Sequence, residues 1–171
     1  VVDQLKRGKA AGLDGLTIEH IKNCHPVIIT ILTKLFNLML VTGCVPVEFG
    51  FGVSVPIPKE RSSVNCSDYR CISISPVISK IFEKCIADSL QRYLCSSDHQ
   101  LGFKQKSGCV HAIYAVRKTV EYYVSNGSTV NICTLDISKA FDKVNNHCLL
   151  LKLMKRRLPI QFIYLFNRWF S

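Results

Sequence analysis

No stretch of this sequence approaches the ~20 uninterrupted apolar residues that a membrane span requires. The nearest, Pro26 to Val45, is interrupted by Thr30, Thr33, Lys34, Asn37 and Thr42, so no membrane partner is expected. The first seven residues, VVDQLKR, contain no signal-peptide apolar core. Position 1 is not a methionine, and the chain is expected to be a fragment of a longer protein. Acidic residues are scarce: 12 Asp and Glu against 22 Lys and Arg leave a net charge of +10. Such a balance favours polyanionic partners, because each Lys or Arg that meets a phosphate releases a condensed counterion. There is no C-x-x-C, and His25, His111 and His147 lie near cysteines without zinc-site spacing. The nine cysteines occur singly, an odd number without a secretion signal. They are therefore expected to be reduced, to act as small core residues, and to belong to an intracellular protein of the nucleus or cytoplasm.

What is present suits one globular domain or part of a larger one: 171 residues, 48% of them hydrophobic. There is no internal repeat and no low-complexity tract. Residues 8–15, GKAAGLDG, are turn-rich and precede a helix expected from Thr17 to Asn23. Pro26 opens a strongly apolar helix over Val27 to Val41 that ends near Gly43. FGVSVPI at 51–57 reads as a strand, residues 58–63 as a polar hairpin loop, and YRCISIS at 69–75 as the return strand. Helices are expected over Val77–Leu94, Gly108–Val124, His147–Lys155 and Pro159–Phe170, with a strand at 130–136 and a short helix near Lys139. The order is α+β and helix-rich, without the βα alternation of a doubly wound fold.

Asp136 is the residue that does not suit its surroundings. NICTL at 131–135 reads as a buried strand, and a carboxylate follows where an apolar residue would fit. Asp136 or Ser138 could cap the next helix. Alternatively, a carboxylate at a strand end, beside the Ile137 carbonyl, can hold a hard divalent cation, which Mg²⁺ accepts from one or two carboxylates plus substrate phosphates. One carboxylate is not a complete site, so a partner must lie elsewhere. KSGC at 106–109 lacks the G-x-x-x-x-G-K-[ST] pattern of a phosphate loop.

Residues 134–144, TLDISKAFDKV, closely resemble the first catalytic motif of reverse transcriptases of non-LTR (long-interspersed-element-like) retrotransposons. PIPKERSSVNCSDYRCISIS at 56–75 resembles the family's fingers segment, a Pro-x-x-Lys followed by Tyr-Arg-Pro-Ile-Ser, and PVISKIFEKCIADSL at 76–90 resembles the helix after it. QLGFKQKSGC at 100–109 is similar to the Gln-x-Gly-Phe segment, and GKAAGLDG to the N-terminal Lys-Ala-Pro-Gly-Pro-Asp-Gly motif. The resemblance covers nearly the whole chain. It implies an incomplete right-hand polymerase fold, with the N-terminal motif and fingers at about 1–128 and the palm opening at about 129–171. It also implies RNA-templated DNA synthesis from dNTPs on a DNA primer at a nicked genomic target.

In that family two metals, roughly 4 Å apart, activate a primer 3′-hydroxyl and steady the leaving pyrophosphate. The resemblance makes Asp136 a ligand of Mg²⁺ (Mn²⁺ as a substitute), assisted by the Ile137 carbonyl, and Phe141 the steric gate under the sugar. It assigns Lys59 and Arg70 to the triphosphate, a point cation and a guanidinium on one hairpin. Gln100, Gly102 and Phe103 would line the templating-base and nucleotide pocket, and Lys6, Arg7 and Lys9 would meet template RNA phosphates, a solvated basic turn being the other reading.

The pattern breaks at Cys71, where the family usually has Pro or Gly, at Ala11 and Leu13, which replace prolines, and at Arg157, where Gly is commoner. If residue 157 is a left-handed helix cap, Arg there costs about 1 kcal/mol. The sequence contains no Tyr/Phe-Ala-Asp-Asp, the motif that supplies the remaining catalytic aspartates. The rest of the palm and the thumb are expected in the same polypeptide, and these residues alone are expected not to polymerise. A decayed or domesticated nucleic-acid-binding remnant and a group II intron maturase are the alternatives; a purely structural helical protein would leave Asp136, Lys59 and Arg70 unexplained.

Overall fold

Helix boundaries in the computed structural model, which describes residues 1–59, 65–104, 106–138 and 140–170, follow from local chemistry. Thr17 precedes helix α1 (Ile18–Asn23), and its N–H donates to His20 Nδ1 at 3.0 Å. Pro26 precedes α2 (Val27–Thr42), where its missing N–H costs nothing. α2 ends at Gly43, whose φ of 65° only glycine adopts freely. There the exposed Thr42 carbonyl accepts from the Arg168 guanidinium at 2.9 Å, which satisfies one of the helix's orphan acceptors.

The chain forms two compact units. The first comprises Val1–Tyr93 and the residues from Asn145 onward; the second is Leu94–Val144. In the first, helix α3 (Val77–Leu90) buries Val77, Ile81, Phe82, Ile86 and Leu90 along one stripe. Against it pack Ile18 and Ile21 of α1, Leu32, Phe36 and Met39 of α2, Leu150 of α5 (Asn146–Lys155), and Phe162, Ile163 and Leu165 of α6 (Ile160–Trp169). Phe82, 1% exposed, is the hub: its ring lies 5.0 Å from Phe36 and 5.6 Å from Trp169.

Helix α5 is capped at both ends. The Asn145 side chain accepts from the Cys148 N–H at 2.9 Å. At the other end Arg157 N–H donates to the Met154 carbonyl (2.8 Å) and Leu158 N–H to the Leu153 carbonyl (3.3 Å), a Schellman motif. Arg157 takes φ 56°, the left-handed position that favours glycine.

Strands β1 (Val53–Pro58) and β2 (Tyr69–Ile74) form an antiparallel ribbon, pairing Val53 with Ile74 through Pro58 with Tyr69. Both strands are exposed over most of their length, so cross-strand pairs such as Ser54–Ser73 (Oγ···Oγ 3.2 Å) hold the ribbon rather than burial. Residues 60–63 of the expected hairpin loop lie outside the described residues.

The second unit contains α4 (Cys109–Ser125), which has no buried residue. The strand expected at 130–136 does not form: residues 128–137 are in neither helix nor strand. A strand exists by hydrogen bonding to a neighbour, and among the described residues the only sheet is β1–β2. The short helix expected near Lys139 is also not observed; Ser138 and Ala140–Lys143 form turns, and Lys139 itself lies outside the described residues. The cysteines are all free, but seven of the nine are exposed and only Cys24 and Cys85 are half-buried. The seven exposed ones are not core residues; Cys85 alone packs against the core, at the edge of a cluster filled by Leu, Ile, Val, Met and Phe. No helix among the described residues is long and apolar enough to cross a membrane.

Candidate functional site

The residues singled out from the sequence fall into three groups, one in the second unit and two in the first. In the second unit, Asp136 sits on the unpaired segment, its carboxylate exposed between Leu135 and Ile137. Leu135 is 94% exposed and Ile137 74%, so no packing fixes the orientation of the aspartate. Among the described residues no three His, Cys, Asp or Glu side chains converge as a metal site.

Phe141 and Phe103 do meet. Their rings are edge to face, with centroids 6.2 Å apart and planes at 84°, a favourable aromatic geometry. Phe103 is 96% exposed and held at φ 57°, a strained position for a residue with a Cβ. The Gln100 side-chain amide turns toward the same short loop, at 3.5 Å from the Gly102 carbonyl. The first-motif phenylalanine and the Gln-x-Gly-Phe loop are thus brought together, 38 residues apart in sequence.

In the first unit, Lys59 and Arg70 both lie on the ribbon. Arg70 pairs with Ile57 in the register, and Lys59 N–H donates to the Asp68 carbonyl at 2.8 Å, just beyond the last strand pair, Pro58–Tyr69. Lys59 follows the last residue of β1 and Arg70 is the second residue of β2, so both stand at the same open end of the ribbon.

The N-terminal arm carrying Lys6, Arg7 and Lys9 is tied to α1. Lys22 Nζ donates to the Asp3 carbonyl (3.2 Å) and the Leu5 carbonyl (2.9 Å), and the Gly8 N–H donates to Glu19 Oε1 at 2.6 Å. That backbone hydrogen bond holds the Glu19 carboxyl below the usual carboxylate range. Gly12 lies so close to the start of α3 that a Cβ would meet Pro76 Cα and N at 3.0 Å. The invariant need here is for close approach of two backbones, with no side chain between them.

Between this arm, the end of β2 and the start of α3 lies a cavity of about 520 Å³. Lys6 and Lys9 line it from the arm and Lys80 from α3. Lys80 was not visible as a site residue in the sequence. It reads there as one polar position of an amphipathic helix, and only the folding back of the arm sets it opposite Lys6 and Lys9.

Residues 57–170 match the family model described as reverse transcriptase (RNA-dependent DNA polymerase). The chain is 27% identical to the probable RNA-directed DNA polymerase from transposon X-element of Drosophila melanogaster, over 99% of this chain and 19% of that protein. It is 26% identical to the Pol polyprotein from type-1 retrotransposable element R2 of Nasonia vitripennis, over 94% of this chain and 15% of that protein. It is also 27% identical to the RNA-directed DNA polymerase from mobile element jockey of Drosophila funebris, over 99% and 19%. The chain therefore spans less than a fifth of the length of these relatives. The remnant and intron-maturase alternatives gain nothing from these similarities. The chain belongs to the reverse transcriptase (RNA-dependent DNA polymerase) family, and its relatives within that family are polymerases of non-LTR retrotransposons.

Proposed function

We propose that the chain is part of a non-LTR retrotransposon polyprotein that copies RNA into DNA, with fingers at about 1–128 and the palm opening at about 129. The observation that carries this reading is the family match over 57–170, which spans Lys59, Arg70, Gln100, Gly102, Phe103, Asp136 and Phe141. The substrates are dNTPs, an RNA template and a DNA primer.

Asp136 and the Ile137 carbonyl are hard oxygen donors of the kind Mg²⁺ or Mn²⁺ takes, but they are too few to complete an octahedral site. They would hold the metal together with carboxylates supplied outside these 171 residues. When bound, the ions supply Lewis-acid charge stabilisation at the reacting phosphate and hydroxyl. Lys59 and Arg70, at the same end of the ribbon, suit a triphosphate: Arg70 presents a planar fork and Lys59 a point charge. Phe141, braced edge-on by Phe103, offers a flat apolar floor under a sugar and no acceptor for a 2′-hydroxyl. Gln100 and Gly102 border that floor, on the side of the templating base. Lys6, Arg7 and Lys9 hold template phosphates.

Primer extension tests the proposal. The sequence contains no Tyr/Phe-Ala-Asp-Asp, so the 171-residue chain alone is expected to give no product. A polypeptide continued through that motif in the parent reading frame is expected to give Mg²⁺-dependent DNA. Asp136→Asn should lower that rate by about 10³-fold or more, the equivalent of losing roughly 4 kcal/mol of charge stabilisation. Synthesis by the short chain, or a longer protein indifferent to Asp136→Asn, contradicts the proposal.

A further inference from the structure

The cavity of the first unit has two chemically distinct parts. Three ammonium groups, Lys6, Lys9 and Lys80, stand at it, and no acidic side chain lines it. Among the described residues none of the three forms a salt bridge. Lys80 is half-buried, whereas Lys6 and Lys9 are exposed. The walls behind the lysines are apolar, built by Leu5, Leu16, Ile74 and Val77. At about 520 Å³ the space lies inside the roughly 300–1,000 Å³ range of small-ligand pockets.

A free inorganic anion would use the lysines and leave the apolar walls wet. A neutral peptide or a bare acyl chain would use the walls and leave three like charges uncompensated. A nucleotide within a strand uses both, with its phosphate among the ammonium groups and its base against the aliphatic wall. Ser73 and Gln4, also at the lining, supply polar groups for a base edge.

The strand that forms one wall continues the same character. Ile74 and Arg70 lie on the same face of β2, four residues apart, so a second phosphate-binding group stands further along the ribbon. The arm is fixed in place to make the pocket: Lys22 and Glu19 hold its backbone, and Gly12 lets it approach Pro76.

We propose that this cavity is a single-nucleotide pocket for single-stranded nucleic acid. Lys6, Lys9 and Lys80 grip a phosphate, and the attached base inserts against Leu5, Ile74 and Val77. This deepens the nucleic-acid reading of Lys6 and Lys9 given above, adds Lys80 and the base wall to it, and makes no use of Asp136.

Fluorescence anisotropy on the 171-residue chain tests it with two probes, a thymidine dodecamer and a dodecamer of the same sugar–phosphate backbone in which every base is replaced by a tetrahydrofuran abasic unit. The base-bearing strand is expected to bind about three- to fivefold more tightly, less than a base gains on an aromatic ring because this wall is aliphatic. Ala10 is exposed and lines the cavity, so Ala10→Trp fills it from outside the core without changing charge. That variant should bring the thymidine strand down to the abasic level and leave the abasic strand unchanged. Lys80→Gln should weaken both strands and reduce the slope of log affinity against log salt by about 0.7. Circular dichroism on each variant checks that the helices persist. Equal binding of the two strands, no binding of either, or a base preference that survives Ala10→Trp overturns the proposal. Because the assay needs no synthesis, a failure of the polymerase reading at Asp136 leaves this result standing, and the reverse.

Discussion

Helices α3 and α4 are of similar length, 14 and 17 residues, and both carry apolar side chains at helical spacing. α3 sinks Val77, Ile81, Phe82, Ile86 and Leu90 into the core, whereas α4 buries nothing and leaves Val110, Ile113, Val116 and Tyr123 exposed. The difference extends to the whole of the two units. Every buried hydrophobic residue among those described belongs to the first, including all of the cluster around Phe82. The second carries Asp136 on a segment that pairs with no strand. Periodicity makes a helix amphipathic, but only a facing surface turns that stripe into a core. The first unit has such surfaces in α1, α2, α5 and α6; the described residues of the second do not supply them.

The sharpest way to break this comparison is to truncate one apolar side chain in each helix. Phe82→Ala removes a ring packed on Phe36 and Trp169 and should cost about 3–5 kcal/mol, enough to unfold the first unit in a denaturant titration. Ile113→Ala, at a position 66% exposed, should stay within about 0.5 kcal/mol. A large loss at Ile113 would mean that α4 has a packing partner after all.

A smaller effect of opposite sign is expected at the end of α5. Arg157 occupies the left-handed position of the Schellman motif, so Arg157→Gly should stabilise the first unit by about 1 kcal/mol, read as a rise in midpoint at constant slope. Asn145→Ala at the other end of the same helix should cost about 1 kcal/mol, through the lost bond to the Cys148 amide.

The smallest effect separates two carboxylates. Glu19 is held below the usual carboxylate range by the Gly8 amide, and Glu121 by the Lys118 and Arg117 side chains. Both folded-state values are depressed, so each contribution is complete above the ordinary carboxylate pKa and fades as pH falls through the depressed one. Glu19 ties the arm to α1, whereas Glu121 bonds only within its own helix. Acidification should therefore release the Gly8 amide to hydrogen exchange, and Glu19→Gln should release it at neutral pH. The amides of α4 should change little, because their bonds do not depend on Glu121.

Local signals made most of the first unit legible in the sequence. Pro26, Gly43 and Pro76 punctuate helices where they fall, and the alternation in YRCISIS forms the return strand of the ribbon. Even the mismatch of Arg157 to a glycine position could be read before its φ was known. The expected strand and most of the expected core cysteines failed for one reason: they needed partners that a local pattern does not contain. NICTL has the composition of a buried strand, yet among the described residues no neighbouring strand meets it, and seven of the nine cysteines stay exposed. The same limit hid Lys80, whose relation to Lys6 and Lys9 depends on Gly12 letting the arm fold back against Pro76.

Amide hydrogen exchange on the 171-residue chain at neutral pH compares the two units residue by residue. The amides of α3 should be protected to the level of global unfolding, while residues 130–136, with Asp136 at their end, should exchange at nearly the rate of an unstructured peptide. Protection of 130–136 comparable to that of α3 would mean that the aspartate already sits on a paired strand in this chain, which contradicts the account.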